Sequence, residues 1–266
     1  MPIGSISTAI DDIHASARRY SLVGMLGWQD VRQRYRRSAL GPFWLTISMG
    51  IMIGSMGVVF SQLFNSPMTE FFPFLSVGMI LWAFVAQILT EGCTGFISAE
   101  GIIKQMPIPL FVHIARMIWR NLIILAHNLI IFPIVLIAVG KPVGWIALLS
   151  IPGLILLLLN LTWAALVLGM LCARYRDLPQ IVTSLLQVIY FVTPIMWMPS
   201  LLTARSATYL LDYNPFYHLL EVTRAPLLGQ APTDMNWIVS LTIALVGWLV
   251  TLAMYGRYKR RIAYWL

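Results

Sequence analysis

The side chains that usually carry out catalysis or bind metals are few in this sequence and are not grouped. The four histidines share no metal-ligand spacing and form no H-E-x-x-H motif. They are His14, His113, His127 and His218. The one adjacent acidic pair, Asp11-Asp12, belongs to no nucleophile motif, and no G-x-x-x-x-G-K-[ST] phosphate loop is present. We therefore expect no catalytic, cofactor or metal site, and any ATP that drives this protein must be bound by another polypeptide.

The composition predicts a membrane protein. Of the 266 residues, 59% are apolar and 11% are charged, and the mean hydropathy is +0.80. Soluble domains carry about 25% charged residues, so a soluble chain of this composition could not cover its surface with polar groups.

Long apolar runs predict an all-α integral membrane protein with six transmembrane helices. A helix needs about 20 apolar residues to cross about 30 Å of hydrocarbon. The predicted spans are about 43–64, 71–96, 110–139, 144–172, 179–196 and 237–256. Residues 1–42 then form an N-terminal segment, and residues 43–266 form the transmembrane domain.

The basic residues predict the orientation. Fifteen of the 18 Lys and Arg fall in the segments on one side of the six spans. The other side holds only Lys141, Arg205 and Arg224. By the positive-inside rule, both termini are cytoplasmic, in what we expect to be a bacterial inner membrane. The net charge of +8 is then a matter of topology and lipid contact rather than of nucleic-acid binding.

The N-terminal segment contains a predicted amphipathic helix at the membrane surface. Apolar residues at helical spacing are followed at once by basic residues, which is typical of an interface helix. The residues are Leu22, Met25, Leu26, Trp28, Arg32, Arg34, Tyr35, Arg36 and Arg37. The alternative is a simple topogenic anchor.

The loop after the second span is a candidate docking surface. It is short, partly apolar and closed by Pro107 and Pro109, and exposed apolar residues on a cytoplasmic loop suggest a protein partner. Its residues are Gly101, Ile102, Ile103, Lys104, Gln105 and Met106. Alternatively, the isoleucines and Met106 pack under the helical bundle.

The outer segment 197–230 is too apolar for a free loop and too interrupted for a span. Broken helices at membrane depth persist where protein buries them or where they line a wet cavity. We expect two short re-entrant helices, hinged near Arg205-Ser206 or Asn214-Pro215. The alternative is an interfacial aromatic belt without a role in transport.

Five segments together resemble the ABC-2 type permeases that export polysaccharides. They are Asp30–Trp44, Ala173–Gln180, Thr193-Pro194, Asn214–Pro226 and Tyr258–Leu266. They occur in the family's order and extend over nearly the whole chain. The most similar subgroups are the O-antigen and capsule exporters, followed by the teichoic acid exporters.

The resemblance implies a homodimer bound to two copies of a separate ATPase subunit, which holds ATP and Mg²⁺. It makes 22–37 the interface helix, 101–106 the coupling helix and the re-entrant pair a periplasmic gate. It also implies that the substrate is an undecaprenyl-diphosphate-linked glycan. The alternatives are an ABC-2 exporter of drugs or small lipids, and an ion-coupled secondary carrier.

Aromatic side chains near the outer half are candidates for lining the channel or the gate. Sugars stack on aromatic rings, and rings offer no fixed hydrogen bonds that would stop a sliding chain. The candidates are Phe60, Phe64, Phe71, Phe72, Tyr190, Trp197, Tyr209, Tyr213, Phe216 and Tyr217. Aromatic residues at this depth are otherwise ordinary belt residues.

Overall fold

A computed structural model describes residues 3–34, 43–203 and 208–266, and within these ranges the chain is helical without a strand. The α-helices are α1 (Ile3–Arg18), α2 (Tyr20–Arg34), α3 (Phe43–Leu63), α4 (Met68–Thr94), α5 (Glu100–Gln105), α6 (Phe111–Leu129), α7 (Ile131–Val139), α8 (Ser150–Arg174), α9 (Leu178–Val192), α10 (Pro215–Leu227) and α11 (Asp234–Trp265). Short 3-10 turns cover Ile97–Ala99, Trp145–Leu149 and Pro199–Leu201, and a π turn covers Thr208–Asp212.

Five stretches of helix are long and apolar enough to cross a membrane. They are Phe43–Leu63, Met68–Thr94, Phe111–Val139, Trp145–Arg174 and Asp234–Trp265. Each coincides with a predicted span, in the predicted order. The α6–α7 stretch stays continuous although it contains Pro133, because this proline falls in the first turn of α7.

The sixth predicted span, 179–196, contains a shorter helix than expected. Helix α9 has 15 residues, a length of about 22 Å at about 1.5 Å per residue. It ends at Val192 because Thr193 precedes a proline and takes an extended conformation, with ψ 136°. The long apolar helices of the described chain therefore number five, and α9 is an additional short one.

Helix α4 is the centre of the bundle. In its most apolar stretch of 18 residues, 78% of the residues are buried. Helix α4 packs against α3, α6, α7, α8, α9 and α10. Helix α3 lies at the periphery, with only 11% of the residues in its most apolar stretch of 18 residues buried. Helix α9 likewise buries only Leu186. Helices α3 and α9, which both pack on α4, thus present apolar faces outward.

The N-terminal segment forms two helices where a single interface helix was predicted. Helix α1 packs on α11 and α6, and α2 packs on α6. On α2, Met25 and Trp28 are exposed, whereas Leu22 and Leu26 are half-buried. Tyr35, Arg36 and Arg37 lie outside the described residues.

The outer segment contains one clear helix after the predicted second hinge. Helix α10 begins at Pro215, with Asn214 as its N-cap. The Asn214 Oδ1 accepts hydrogen bonds from the backbone N–H of Phe216 and Tyr217, at 3.0 and 3.3 Å. Helix α10 then packs among α4, α8 and α11. The other predicted hinge, Arg205-Ser206, lies outside the described residues.

Candidate functional site

The predicted coupling segment is helix α5, and its two faces have different surroundings. Ile103 is half-buried and packs against the hydrophobic core. Gly101, Lys104, Gln105 and Met106 are exposed, and Met106 is 55% accessible. Ile103 thus packs under the bundle, as in the alternative interpretation, while the opposite face remains open to a partner.

An ion pair at the start of α5 shapes its exposed face. The Lys104 Nζ lies 2.7 Å from the Glu100 Oε1, and both side chains are exposed. The hydrogen bond and the charge of Lys104 lower the pKa of the Glu100 carboxyl from its ordinary value. A partner therefore meets a carboxylate and an ammonium beside the apolar Met106.

A buried carboxylate holds the helices around α5. Asp12 is 4% exposed, and its Oδ2 accepts hydrogen bonds from the backbone N–H of Phe111 at 3.0 Å and from the Tyr255 hydroxyl at 2.5 Å. The Lys259 ammonium lies 2.6 Å from its Oδ1. One side chain thus joins α1 to the first residue of α6 and to α11. We call this group the Asp12 cluster.

A second charged cluster joins α2 to the bundle. The Arg120 guanidinium lies 2.5 Å from Glu91 on α4 and 3.3 Å from Asp30 on α2. Arg116 lies 3.8 Å from Asp30, and the Asn121 amide donates to Glu91 at 2.7 Å. Two acids and two arginines balance each other here, so α2 is fixed by charge as well as by apolar contact.

Arg224 of α10 is fully buried, although the charge count places it on a loop. Its Nε and Nη2 donate to the Glu221 carboxylate at 2.9 and 2.6 Å, and its Nη1 donates to the Pro194 carbonyl. Its guanidinium carbon lies 4.3 Å from the centre of the Phe74 ring. Arg224 therefore links α10 to α4 and to Pro194, just after the end of α9.

The predicted channel aromatics fall into separate groups. Phe60 stacks on Phe64, which contacts Phe71, with ring centroids 5.6 and 6.1 Å apart. Phe71 is fully buried, and Phe72 lies so close to Gly57 that a Cβ there would be 1.8 Å from its ring. These four side chains join α3 to α4 within the chain.

Tyr190 lines an open apolar groove. The groove has a volume of about 670 Å³ and lies between α3, α4 and α9, with Trp82 in its wall. The Trp82 ring centroid is 5.8 Å from that of Tyr190 and 5.8 Å from that of Phe216. We call this cavity the Trp82 groove. Trp82 was not among the predicted aromatics, because it lies mid-helix in the predicted second span.

The other predicted aromatics lie along the outer segment. Tyr209 and Tyr213 are exposed and stack with centroids 6.5 Å apart. The Trp197 indole donates to the Phe191 carbonyl at 3.1 Å, and Tyr217 packs on His218. In the described part of the chain, no group of three His, Cys, Asp or Glu side chains could hold a metal ion.

Comparison with known proteins places these features in a family. Residues 21–228 match the family described as ABC-2 type transporter. The O-antigen export system permease protein RfbA of Myxococcus xanthus is 25% identical over 224 residues, which cover 82% of this chain and 84% of that protein. The polysialic acid transport protein KpsM of Escherichia coli is 24% identical over 245 residues, which cover 85% and 89%.

Proposed function

The chain belongs to the ABC-2 type transporter family, and on that premise we propose that it is the membrane-spanning subunit of an ATP-driven polysaccharide exporter. The observation that carries this proposal is the likeness to an O-antigen export permease and to a polysialic acid transport protein along more than four fifths of the chain. Similarity of that extent covers the transmembrane domain as a whole rather than one motif. The substrate that we propose is a glycan linked to undecaprenyl diphosphate.

We propose that the chain crosses the inner membrane six times, with both termini in the cytoplasm. Arg176, just after α8, lies 3.4 Å from the Trp265 carbonyl, so α8 and α11 end on the same side of the bundle. The starts of both helices lie near α10, where Val222 meets Gly153 and His218 meets Asn236. The chain between α8 and α11 must therefore return across the bundle, and α9 supports that crossing despite its length.

We propose that the transporter is a homodimer with the translocation channel between the protomers. The exposed apolar faces of α3 and α9 flank the Trp82 groove, and a second copy placed there would close the groove into a passage. Aromatic walls would let a glycan slide without fixed hydrogen bonds. Helix α10 and the residues before it would form the re-entrant outer gate, held by the Arg224 contacts.

In this proposal the energy comes from two copies of a separate ATPase subunit that carries ATP and Mg²⁺. Helix α5 docks on that subunit, and nucleotide binding shifts α5 between two positions. ATP can favour the open channel only by binding more tightly to one of these states. The Asp12 cluster supports the transmission, because it links the start of α6 to α1 and α11.

Docking through the exposed face of α5 predicts that Met106→Asp weakens the complex with the ATPase. A charge buried against the partner at a central apolar contact should reduce retention by about tenfold or more. Because Met106 is 55% exposed in the chain itself, the variant should fold normally. Retention is measured by pulling down the ATPase with tagged permease.

Val143→Asp is the matched control, because Val143 is an exposed apolar residue in the loop at the opposite end of the bundle. It should retain the ATPase as the unchanged chain does. Ile103→Asp should damage folding as well as docking, since Ile103 packs against the core. If Met106→Asp retained the ATPase fully, the proposal that α5 docks on the ATPase would be wrong.

The function itself is tested in inside-out vesicles that contain the chain and its ATPase. A labelled glycan on a polyprenyl diphosphate should become protected from added glycosidase only when ATP is present, and vanadate should prevent the protection. Purified chain alone should hydrolyse no ATP. Protection without the ATPase would instead indicate an ion-coupled carrier. ATP-dependent uptake of a labelled small lipid, without protection of the glycan, would indicate an exporter of drugs or small lipids.

A further inference from the structure

A second apolar groove lies between the N-terminal helices and α6. It has a volume of about 690 Å³ and is lined by Tyr20, Gly24, Met25, Ile118, Trp119 and Leu122, among others. It begins at the corner where α1 meets α2 and extends to Thr162 of α8. We call it the corner groove. A volume of this size is typical of small-ligand sites.

Two glycines of α2 show how the corner groove is formed. A Cβ on Gly27 would lie 2.7 Å from the Trp119 side chain and 3.0 Å from the Arg116 carbonyl, so α2 touches α6 there. A Cβ on Gly24, about one turn earlier, would meet nothing within 4 Å. The two helices therefore separate toward the α1–α2 corner, and the missing side chain at Gly24 keeps the space open.

The rim of the corner groove combines aromatic and basic side chains. Tyr20, Met25 and Trp119 are exposed, although all three line the groove. Arg18 and Arg19 are exposed at the α1–α2 corner. The nearby acids Asp12 and Asp30 already pair with Lys259 and with Arg116 and Arg120. The corner therefore offers positive charge to an external anion, next to an apolar slot.

We propose that the corner groove binds an anionic phospholipid of the cytoplasmic leaflet. One acyl chain lies in the slot between Gly24 and Trp119, and the Arg18 and Arg19 guanidiniums hold the phosphate. Exposed Tyr and Trp side chains suit the boundary between headgroups and acyl chains. Basic sites beside transmembrane helices on the cytoplasmic side recognise anionic headgroups. The bound lipid then fixes α2 against α6 about one turn before the contact at Gly27.

This proposal rests on the proposed topology, in which α1 and α2 lie at the cytoplasmic surface, but its test does not involve transport. Purified chain is exchanged into nanodiscs that contain phosphatidylglycerol and phosphatidylcholine in equal amounts. It is then released into detergent, and native mass spectrometry counts the retained lipids. We expect the unchanged chain to retain phosphatidylglycerol in preference to phosphatidylcholine.

Two variants locate the site. Gly24→Leu fills the slot and should reduce retention of phosphatidylglycerol by about tenfold, whereas Gly24→Ala adds helix propensity without filling it and should leave retention unchanged. In the double variant Arg18→Gln/Arg19→Gln, the ratio of retained phosphatidylglycerol to retained phosphatidylcholine should fall by about tenfold. Each arginine change leaves the lining of the slot intact.

Three results would overturn the proposal. One is equal phosphatidylglycerol retention by Gly24→Leu and Gly24→Ala, which would place the lipid elsewhere. Another is equal retention of the two phospholipids by the unchanged chain, which would leave the arginines without a role. A third is displacement of phosphatidylglycerol by a polyprenyl-diphosphate glycan, which would make the groove a substrate site. Glycan protection in vesicles is measured separately, so either hypothesis can fail without the other.

Discussion

Replacing Arg224 with alanine should lower the free energy of unfolding by about 3–5 kcal/mol, because it leaves the Glu221 carboxylate without its partner in a largely buried site. The Arg224 side chain is fully buried, and that of Glu221 is 15% exposed. The change also removes the donor to the Pro194 carbonyl and the contact with Phe74. The measurement is unfolding of the purified chain in mixed detergent and SDS micelles.

The double variant Arg224→Met/Glu221→Gln removes both charges while keeping their approximate volume. It should recover more than half of the lost stability, since replacing both members of a buried pair is often nearly neutral. Lys141→Ala removes an exposed cation and should change stability by less than about 0.5 kcal/mol. If Arg224→Ala changed the free energy of unfolding as little as Lys141→Ala, the conclusion that the buried Arg224 links α10 to its neighbours would be wrong.

Asp12→Asn should destabilise the chain by about 2–4 kcal/mol and should also uncouple ATP hydrolysis from transport. The amide cannot satisfy the Lys259 ammonium, the Tyr255 hydroxyl and the Phe111 N–H as the carboxylate does. Movement of α5 would then reach α6 but no longer reach α1 and α11 together. The measurement is the amount of glycan protected per ATP hydrolysed by the reconstituted complex.

Asp11→Asn is the matched control for this prediction. It makes the same chemical change one residue earlier, at a position that is exposed on α1. Its stability and its transport per ATP should equal those of the unchanged chain. A normal transport ratio in Asp12→Asn, measured at a temperature where both variants remain folded, would restrict the Asp12 cluster to a structural role.

The long spans could be predicted from the sequence because the bilayer imposes their length. Unpaired backbone groups are so costly in hydrocarbon that a lipid-exposed span favours one continuous helix. Helix α9 was predicted too long, because its apolar run continues past Thr193-Pro194 while the helix does not. The proline was visible in the sequence, and its effect on the preceding residue was the signal that could have shortened the prediction.

The polar contacts of the candidate site were harder to predict, because they join distant parts of the chain. Asp12 lies 99 residues from Phe111 and 243 residues from Tyr255, so no local pattern brings these groups together. The charge count assigns Arg224 to the side with few basic residues, although Glu221 three residues before it is a local signal for a pair. Helix α5 has only six residues, and that length gives no apolar periodicity from which to orient Ile103.

The Asp12 cluster also constrains the order in which the chain can be assembled during synthesis. Asp12 is translated 243 residues before Tyr255. At about 5–20 residues per second, the carboxylate waits about 12–50 s for that hydroxyl. Helix α1 therefore reaches its final place only after α11 has been made, so a segment that is translated before the long spans is fixed in position after them.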